Sequence, residues 1–249
     1  MPPRAALGSL LALAGCALSL DESALTGGAP SACPVDGAIL CEGFEDGLTP
    51  GLWRFPIGSE PEAVAVVDDG AARGRRALAV TAPAIGEELA ETRGEITADL
   101  PLAEVYRVRL FAFFPSEGDP TASNEARVLK IAQSSPPLSG VQIQLAAEEI
   151  EIHVGLTGVS RFLPWTLPRD RWFCLTAELE VATEGAVSVW LDDEPLGALE
   201  GDTSTPEGAP PYGAITVGLT FPDPALPQGA YTARFDEVLV STGPLGCAD

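Results

Sequence analysis

Along this chain, short runs that alternate apolar and polar residues are cut again and again by turn signals: Glu45-Asp46-Gly47, Asp68-Asp69-Gly70, Ser139-Gly140, Thr157-Gly158 and Asp192-Asp193. A period of two sends successive side chains to opposite faces of a strand, so each run can bury one face and wet the other. The pattern predicts strands at 39–44, 63–67, 77–82, 105–114, 127–132, 141–146, 150–155, 171–181, 187–192, 213–219 and 231–241, with a further candidate around Arg93–Ile96. Long helical periods are missing. Many of the 23 prolines fall between these runs, where they interrupt helices and blunt sheet edges. The expected fold is all-β, one antiparallel sandwich over residues 33–249, a length within the roughly 200–250 residues such domains reach.

The first fifteen residues follow another rule. Arg4 precedes an apolar run from Ala5 to Ala14. That run is shorter than the roughly 20 residues a membrane-spanning helix needs, so it reads as an export signal. The next residues, Leu13-Ala14-Gly15-Cys16, resemble the bacterial lipobox. The resemblance implies cleavage just before Cys16 and a diacylglycerol on its sulfur, with each buried CH₂ of the acyl chains adding about 0.8 kcal/mol of membrane affinity. The alternative is an ordinary signal peptide cut near Gly15 or Ala17, which leaves a soluble protein. Export follows in both cases. Residues 16–32 are rich in Ser, Gly, Ala, Thr and Pro and read as a flexible tether. Ala17, rather than the Asp that retains some Gram-negative lipoproteins, points to the outer membrane or cell surface of a bacterial envelope.

A formal charge of −22 with a single lysine, Lys130, argues against nucleic acid as a partner, because phosphate backbones need clustered Lys and Arg. The acidity suits the surface of an exported protein, which is expected to be monomeric and to touch a membrane only through its anchor. Apart from Cys16 the chain holds Cys33, Cys41, Cys174 and Cys247, an even set that predicts two disulfides in an oxidising compartment. With no CxxC pair and one histidine, a zinc site is not expected.

Three segments carry a family likeness: Ile39-Leu40-Cys41-Glu42-Gly43-Phe44-Glu45, then Trp172-Phe173-Cys174-Leu175 with Val187-Ser188-Val189-Trp190-Leu191-Asp192-Asp193, and finally Phe235-Asp236-Glu237-Val238-Leu239-Val240. Together they resemble the laminin-G-like and concanavalin A-like lectin/glucanase superfamily. The resemblance implies a two-sheet jelly-roll sandwich in which the opening and closing strands lie side by side and a Trp-bearing strand leads into a hairpin. Asp192-Asp193 stands where Asp-Gly is usual. Alternation turns Cys41 and Cys174 away from the core, so if their strands are neighbours on the convex sheet the pairing is Cys41–Cys174 with Cys33–Cys247. The local alternative is Cys33–Cys41 with Cys174–Cys247. Laminin-G-like domains often hold calcium at the sandwich rim, for which Asp68, Asp69, Asp192 and Asp193 are candidates by residue type. They serve equally well as turn residues. No other cofactor is expected.

The segment from Val141 to Val154 reads as a hairpin turning around residues 147–149, with Gln142, Gln144, Glu151 and His153 sharing the face opposite its apolar residues. Arg93 and Glu95 share a face of another candidate strand. A concave sheet lined by Arg, Glu, Gln and His hydrogen-bonds sugar hydroxyls and carboxylates. Arg93-Gly94-Glu95-Ile96 and Gln142-Ile143-Gln144 also resemble motifs of alginate-type polysaccharide lyases, where Arg and Gln neutralise a uronate carboxylate and His with Tyr moves the proton. Gln144 stands in place of that His, and Tyr212 and Tyr231 are not in the usual Tyr motif. A lyase reading would instead use His153 as base, with Arg93 and Gln142. Glu148-Glu149-Ile150-Glu151 is no glucanase acid pair; it spans a turn and reads as solvated charge. Trp190 alternates away from Val189 and Leu191 and is the best platform for a sugar ring, although such a Trp more often packs in a core. The sequence therefore predicts a tethered carbohydrate-binding domain, with two alternatives: a lyase or hydrolase of atypical site, and an adhesion or scaffold module that binds protein.

Overall fold

The computed structural model describes residues 37–68, 70–84, 92–122, 124–134, 139–223 and 229–248. The signal segment, the tether, Cys16, Cys33 and Asp69 lie outside them. Among the described residues there are fifteen strands: β1 (Ala38–Glu42), β2 (Trp53–Arg54), β3 (Val64–Val67), β4 (Ala77–Ala82), β5 (Thr92–Asp99), β6 (Val105–Phe113), β7 (Ala126–Gln133), β8 (Gly140–Leu145), β9 (Glu149–Val154), β10 (Val159–Pro164), β11 (Trp172–Glu180), β12 (Gly185–Leu191), β13 (Glu194–Gly201), β14 (Tyr212–Phe221) and β15 (Tyr231–Ser241).

They form two antiparallel sheets packed face to face. The back sheet runs β13-β12-β11-β6-β15-β4-β3, with β1 also paired to β15, and the front sheet runs β10-β9-β8-β7-β14-β5-β2. The opening and closing strands are neighbours, Leu40 facing Val240. Between the sheets, Phe114 packs against Phe173, Tyr231 and Phe235 with ring centroids 6.2 to 6.4 Å apart. The β12–β13 turn puts Asp192 and Asp193 at φ 48° and 66°. A type I′ hairpin demands positive φ at both positions, which Asp tolerates better than most residues.

The predicted strands are all present. The three additional ones, β2, β10 and β13, lie at sheet edges. Val159 to Phe162 of β10 are all exposed, so no apolar alternation betrays the strand, and β13 carries Pro195, Gly197 and Gly201.

The favoured cysteine pairing is not the one formed. Cys174 is bonded to Cys247, with Cα atoms 5.9 Å apart. Cys41 is disulfide-bonded as well, and its partner lies outside the described residues. The premise that the strands of Cys41 and Cys174 are neighbours fails. From β1 to β11 the sheet passes through β15 and β6, three steps of about 4.8 Å, beyond the roughly 7 Å that a disulfide tolerates between Cα atoms.

Part of the outer face of the back sheet is covered by the C-terminal segment 242–248, which lies across it as a strap. Beneath it Arg109 and Glu237 are fully buried and paired at 3.1 Å, and Arg73 Nε lies 3.0 Å from the other Glu237 oxygen. The same guanidinium groups hold the strap backbone: Arg109 donates to the Gly246 carbonyl and Arg73 to that of Cys247. Glu237 sits at φ 46°, in a bulge of β15 against β6 that turns it under the strap. Burial pushes the neighbouring Asp236 up to about 7, even though it accepts backbone N–H groups of Arg73 and Glu237 that favour its charged form.

Candidate functional site on the front sheet

The outer face of the front sheet is built from two cross-strand rows. One contains Thr97, Thr216, Lys130, Gln142, His153 and Ser160, each facing the next across adjacent strands. The other contains Arg93, Thr220, Arg127, Gln144, Glu151 and Phe162. The predicted hairpin forms in the predicted register: Gln142 faces His153 and Gln144 faces Glu151.

The rows spread apart towards one side of the sheet. They are two residues apart on β8, three on β7 and four on β14 and β5, because extra residues bulge β7 at Val128 and β14 at 218–219. A bulge adds a residue to one strand without a partner on the other. The widened space takes Glu95, which faces Gly218 between the rows. Gly218 has φ 152°, and a Cβ there would collide with the carbonyl oxygen of Gly94. Glycine is required at this crossing.

Arg127 is the hub. Its Nε and one terminal nitrogen donate to Glu95 Oε1 at 3.4 and 3.2 Å, and its other terminal nitrogen donates to Gln142 Oε1 at 3.3 Å. Thr220 adds a hydroxyl to the same Glu95 oxygen at 2.5 Å. Next along, Gln144 Nε2 donates to Glu151 Oε2 at 2.7 Å, and Gln144 Oε1 is buried without a protein partner among the described residues. His153 Nδ1 is 2.8 Å from Ser160 Oγ. The outcome is three adjacent groups of oriented donors and acceptors on one sheet face.

Glu151 is not the solvated charge expected from its run: it is 8% exposed. Together with burial, its charge and hydrogen bond push Glu125, just before β7, up to about 7, with Glu149 adding to the effect. Glu125 and Glu149 also line a cavity of about 340 Å³ at this end of the face, with Asn124 and Asp223.

The predicted residues are only partly assembled. Glu95, Gln142, Gln144, Glu151 and His153 come together. Arg93 shares their face, but β14 and β7 stand between it and Gln144, and its guanidinium donates to the Ile57 carbonyl. Trp190 lies on the other sheet. Sequence reasoning missed Arg127, Thr220 and Ser160, and also Phe162, which is 52% exposed beside Glu151. Strict alternation along β7 puts Arg127 and Lys130 on opposite faces; the bulge at Val128 puts both outside.

The three calcium candidates within the described residues have other partners. Asp68 pairs with Arg76; Asp192 accepts the Cys174 N–H and pairs with Arg171; Asp193 accepts the Cys247 N–H. Among the described residues no group of three or more His, Cys, Asp or Glu is arranged to hold a metal ion.

No protein-family model matches this chain, and no curated protein matches it. Solved structures do. The chain is similar to an endo-β-1,4-glucuronan lyase from the fungus Trichoderma reesei, with TM-score 0.64 and 13% identity over 83% of this chain and 96% of that one. A cellulose induced protein, Cip1, gives TM-score 0.63 and 13% identity over 84% and 99%. A PL-14 alginate lyase from Aplysia kurodai gives 0.52 and 10% over 73% and 88%. At these identities the likeness shows the fold, a jelly-roll sandwich.

Proposed function

We propose that this protein binds a carbohydrate polymer of the cell envelope or its surroundings on the front face of its sandwich, held at the bacterial envelope by lipid on Cys16. The observation that carries the reading is the Arg127 hub. A guanidinium fixed between Glu95 and Gln142, flanked by Gln144, Glu151, His153 and Ser160, offers alternating donors and acceptors. Sugar hydroxyls, which both donate and accept, match such a surface, and Arg127, Lys130 and Arg93 suit carboxylate-bearing sugars. Phe162 supplies an exposed apolar ring for a sugar face. Two of the structural neighbours are polysaccharide lyases by name, which supports a carbohydrate ligand on this fold.

One observation favours an enzymatic second reading: His153 stands directly opposite Gln142. If its Nδ1 donates to Ser160 Oγ, the Nε2 lone pair is left to take a proton from a uronate ring held by Arg127. A glycan and polysaccharide array, run with and without calcium and read also for the absorbance of unsaturated uronates, separates the two. Binding without absorbance, lost in Arg127→Ala and Gln142→Ala, establishes a binding protein. Absorbance growth abolished by His153→Ala establishes the lyase. Silence in every well overturns both and favours protein adhesion. For the anchor, labelled fatty acid incorporated into the parent but not into Cys16→Ser is the expected result, and an unlabelled parent refutes it.

A further inference from the structure

On the back of the molecule the strap does not lie flat on the sheet. Between it and strands β6, β11 and β12 there is a cavity of about 270 Å³. This is slightly below the roughly 300–1,000 Å³ of ordinary ligand pockets, so it suits one ring rather than a chain.

Its floor is polar. Glu178 faces Arg107 across β11 and β6 and pairs with it at 2.5 Å, and in the next outward-facing rung Thr176 faces Trp190. Trp190, half-buried, forms one wall, and Pro244 and Leu245 of the strap line the cavity with it.

The cavity persists because the strap is fixed on both sides of those two residues. Before them, Arg107 donates to the Thr242 carbonyl and the Gly243 N–H donates to Ser241 Oγ. After them come the Arg109 bond to Gly246, the Cys174–Cys247 disulfide and the Cys247 N–H bond to Asp193. The residues between stand off the sheet. The charges within are matched: Arg107 by Glu178, and Asp193 by a backbone donor. An acidic ligand finds no uncompensated cation here, whereas a neutral polyol finds an indole for its apolar face and a carboxylate, a guanidinium and a hydroxyl for its edge.

We propose that the cleft between Trp190 and the C-terminal strap is a second carbohydrate site, back to back with the front face, which takes a single neutral pyranose ring stacked on Trp190 with its hydroxyls on Arg107 and Glu178. The Cys174–Cys247 disulfide keeps this site open by holding the strap.

The test uses the full-length protein with methyl glucoside, methyl galactoside and methyl mannoside, each followed by saturation-transfer NMR and by tryptophan fluorescence. At least one glycoside binds the parent, Trp190→Ala weakens that binding about tenfold or more, and Trp190→Phe keeps part of it. Gln142→Ala, on the other face, leaves it unchanged. Failure of all three glycosides to bind, binding that survives Trp190→Ala, or binding lost with Gln142→Ala overturns the second site. Cys247→Ser, checked for a cooperative unfolding transition, abolishes binding if the strap holds the site open; full binding in this variant overturns that role.

Discussion

The outer faces of the two sheets carry the same kinds of residue and use them in opposite ways. On the back, Arg73, Arg109 and Glu237 are enclosed beneath the chain's own C-terminal segment, and their hydrogen bonds end on its backbone. On the front, Arg127 bonds to Glu95 and Gln142, and Gln144 bonds to Glu151, in each case across strands. An outward Arg–Glu pair is thus a clamp where a strap covers it and, on the function proposed above, a recognition surface where none of the described segments does. The difference lies in what crosses over the sheet, so the pair alone cannot announce it.

The clamp side predicts the largest effect. Glu237→Ala leaves two buried guanidinium groups without their carboxylate, and urea denaturation is expected to show a loss of about 3–5 kcal/mol. A loss below about 1 kcal/mol would mean that strap and clamp are not coupled. Next comes the double variant Cys174→Ser, Cys247→Ser. Releasing a cross-link between residues 73 apart in sequence is expected to cost about 2–4 kcal/mol, and the strap should then become susceptible to proteolysis while the front face keeps its ligand.

A subtler contrast comes from Glu125, at the end of the front face, whose folded-state value is raised to about 7. Above the unfolded-state range near 4.5 the native chain still holds a proton that the unfolded chain has lost. This group therefore makes stability fall as pH rises towards 7. Glu125→Gln removes the effect, so its melting temperature should exceed the parent's by more at about pH 8 than at about pH 5. An equal gain at both would show that Glu125 titrates normally. Asp236 on the back imposes the same slope on both proteins and cancels from the difference. The smallest change in stability is expected from Gln142→Ala and Phe162→Ala, each within about 0.5 kcal/mol of the parent. Each should nonetheless weaken polymer binding about tenfold or more. Large destabilisation by either would move the front face into the clamp category.

Much of this was legible in the sequence. The Val141–Val154 hairpin announced its register, because apolar alternation on both arms leaves only one way to bury Val141, Ile143, Leu145, Ile150, Ile152 and Val154 together. The edge strand β10 announced nothing: Ser160, Arg161 and Phe162 have no side facing a core. The disulfide was misjudged for a reason of topology: facing outward is a local property of Cys41 and Cys174, while being neighbours depends on how distant strands are threaded. Arg127 escaped because alternation assumes one residue for one residue across a ladder, and the bulge at Val128 breaks that count.

That bulge acts as a parity switch. One inserted residue exchanges inside for outside for everything on one side of it, as a shifted frame changes the reading of every later letter. Deleting Val128 would turn either Arg127 or Lys130 towards the core while leaving the composition of β7 almost untouched. In this chain the residue count of the seventh strand, rather than the identity of any single residue within it, therefore decides that both cations reach the front face.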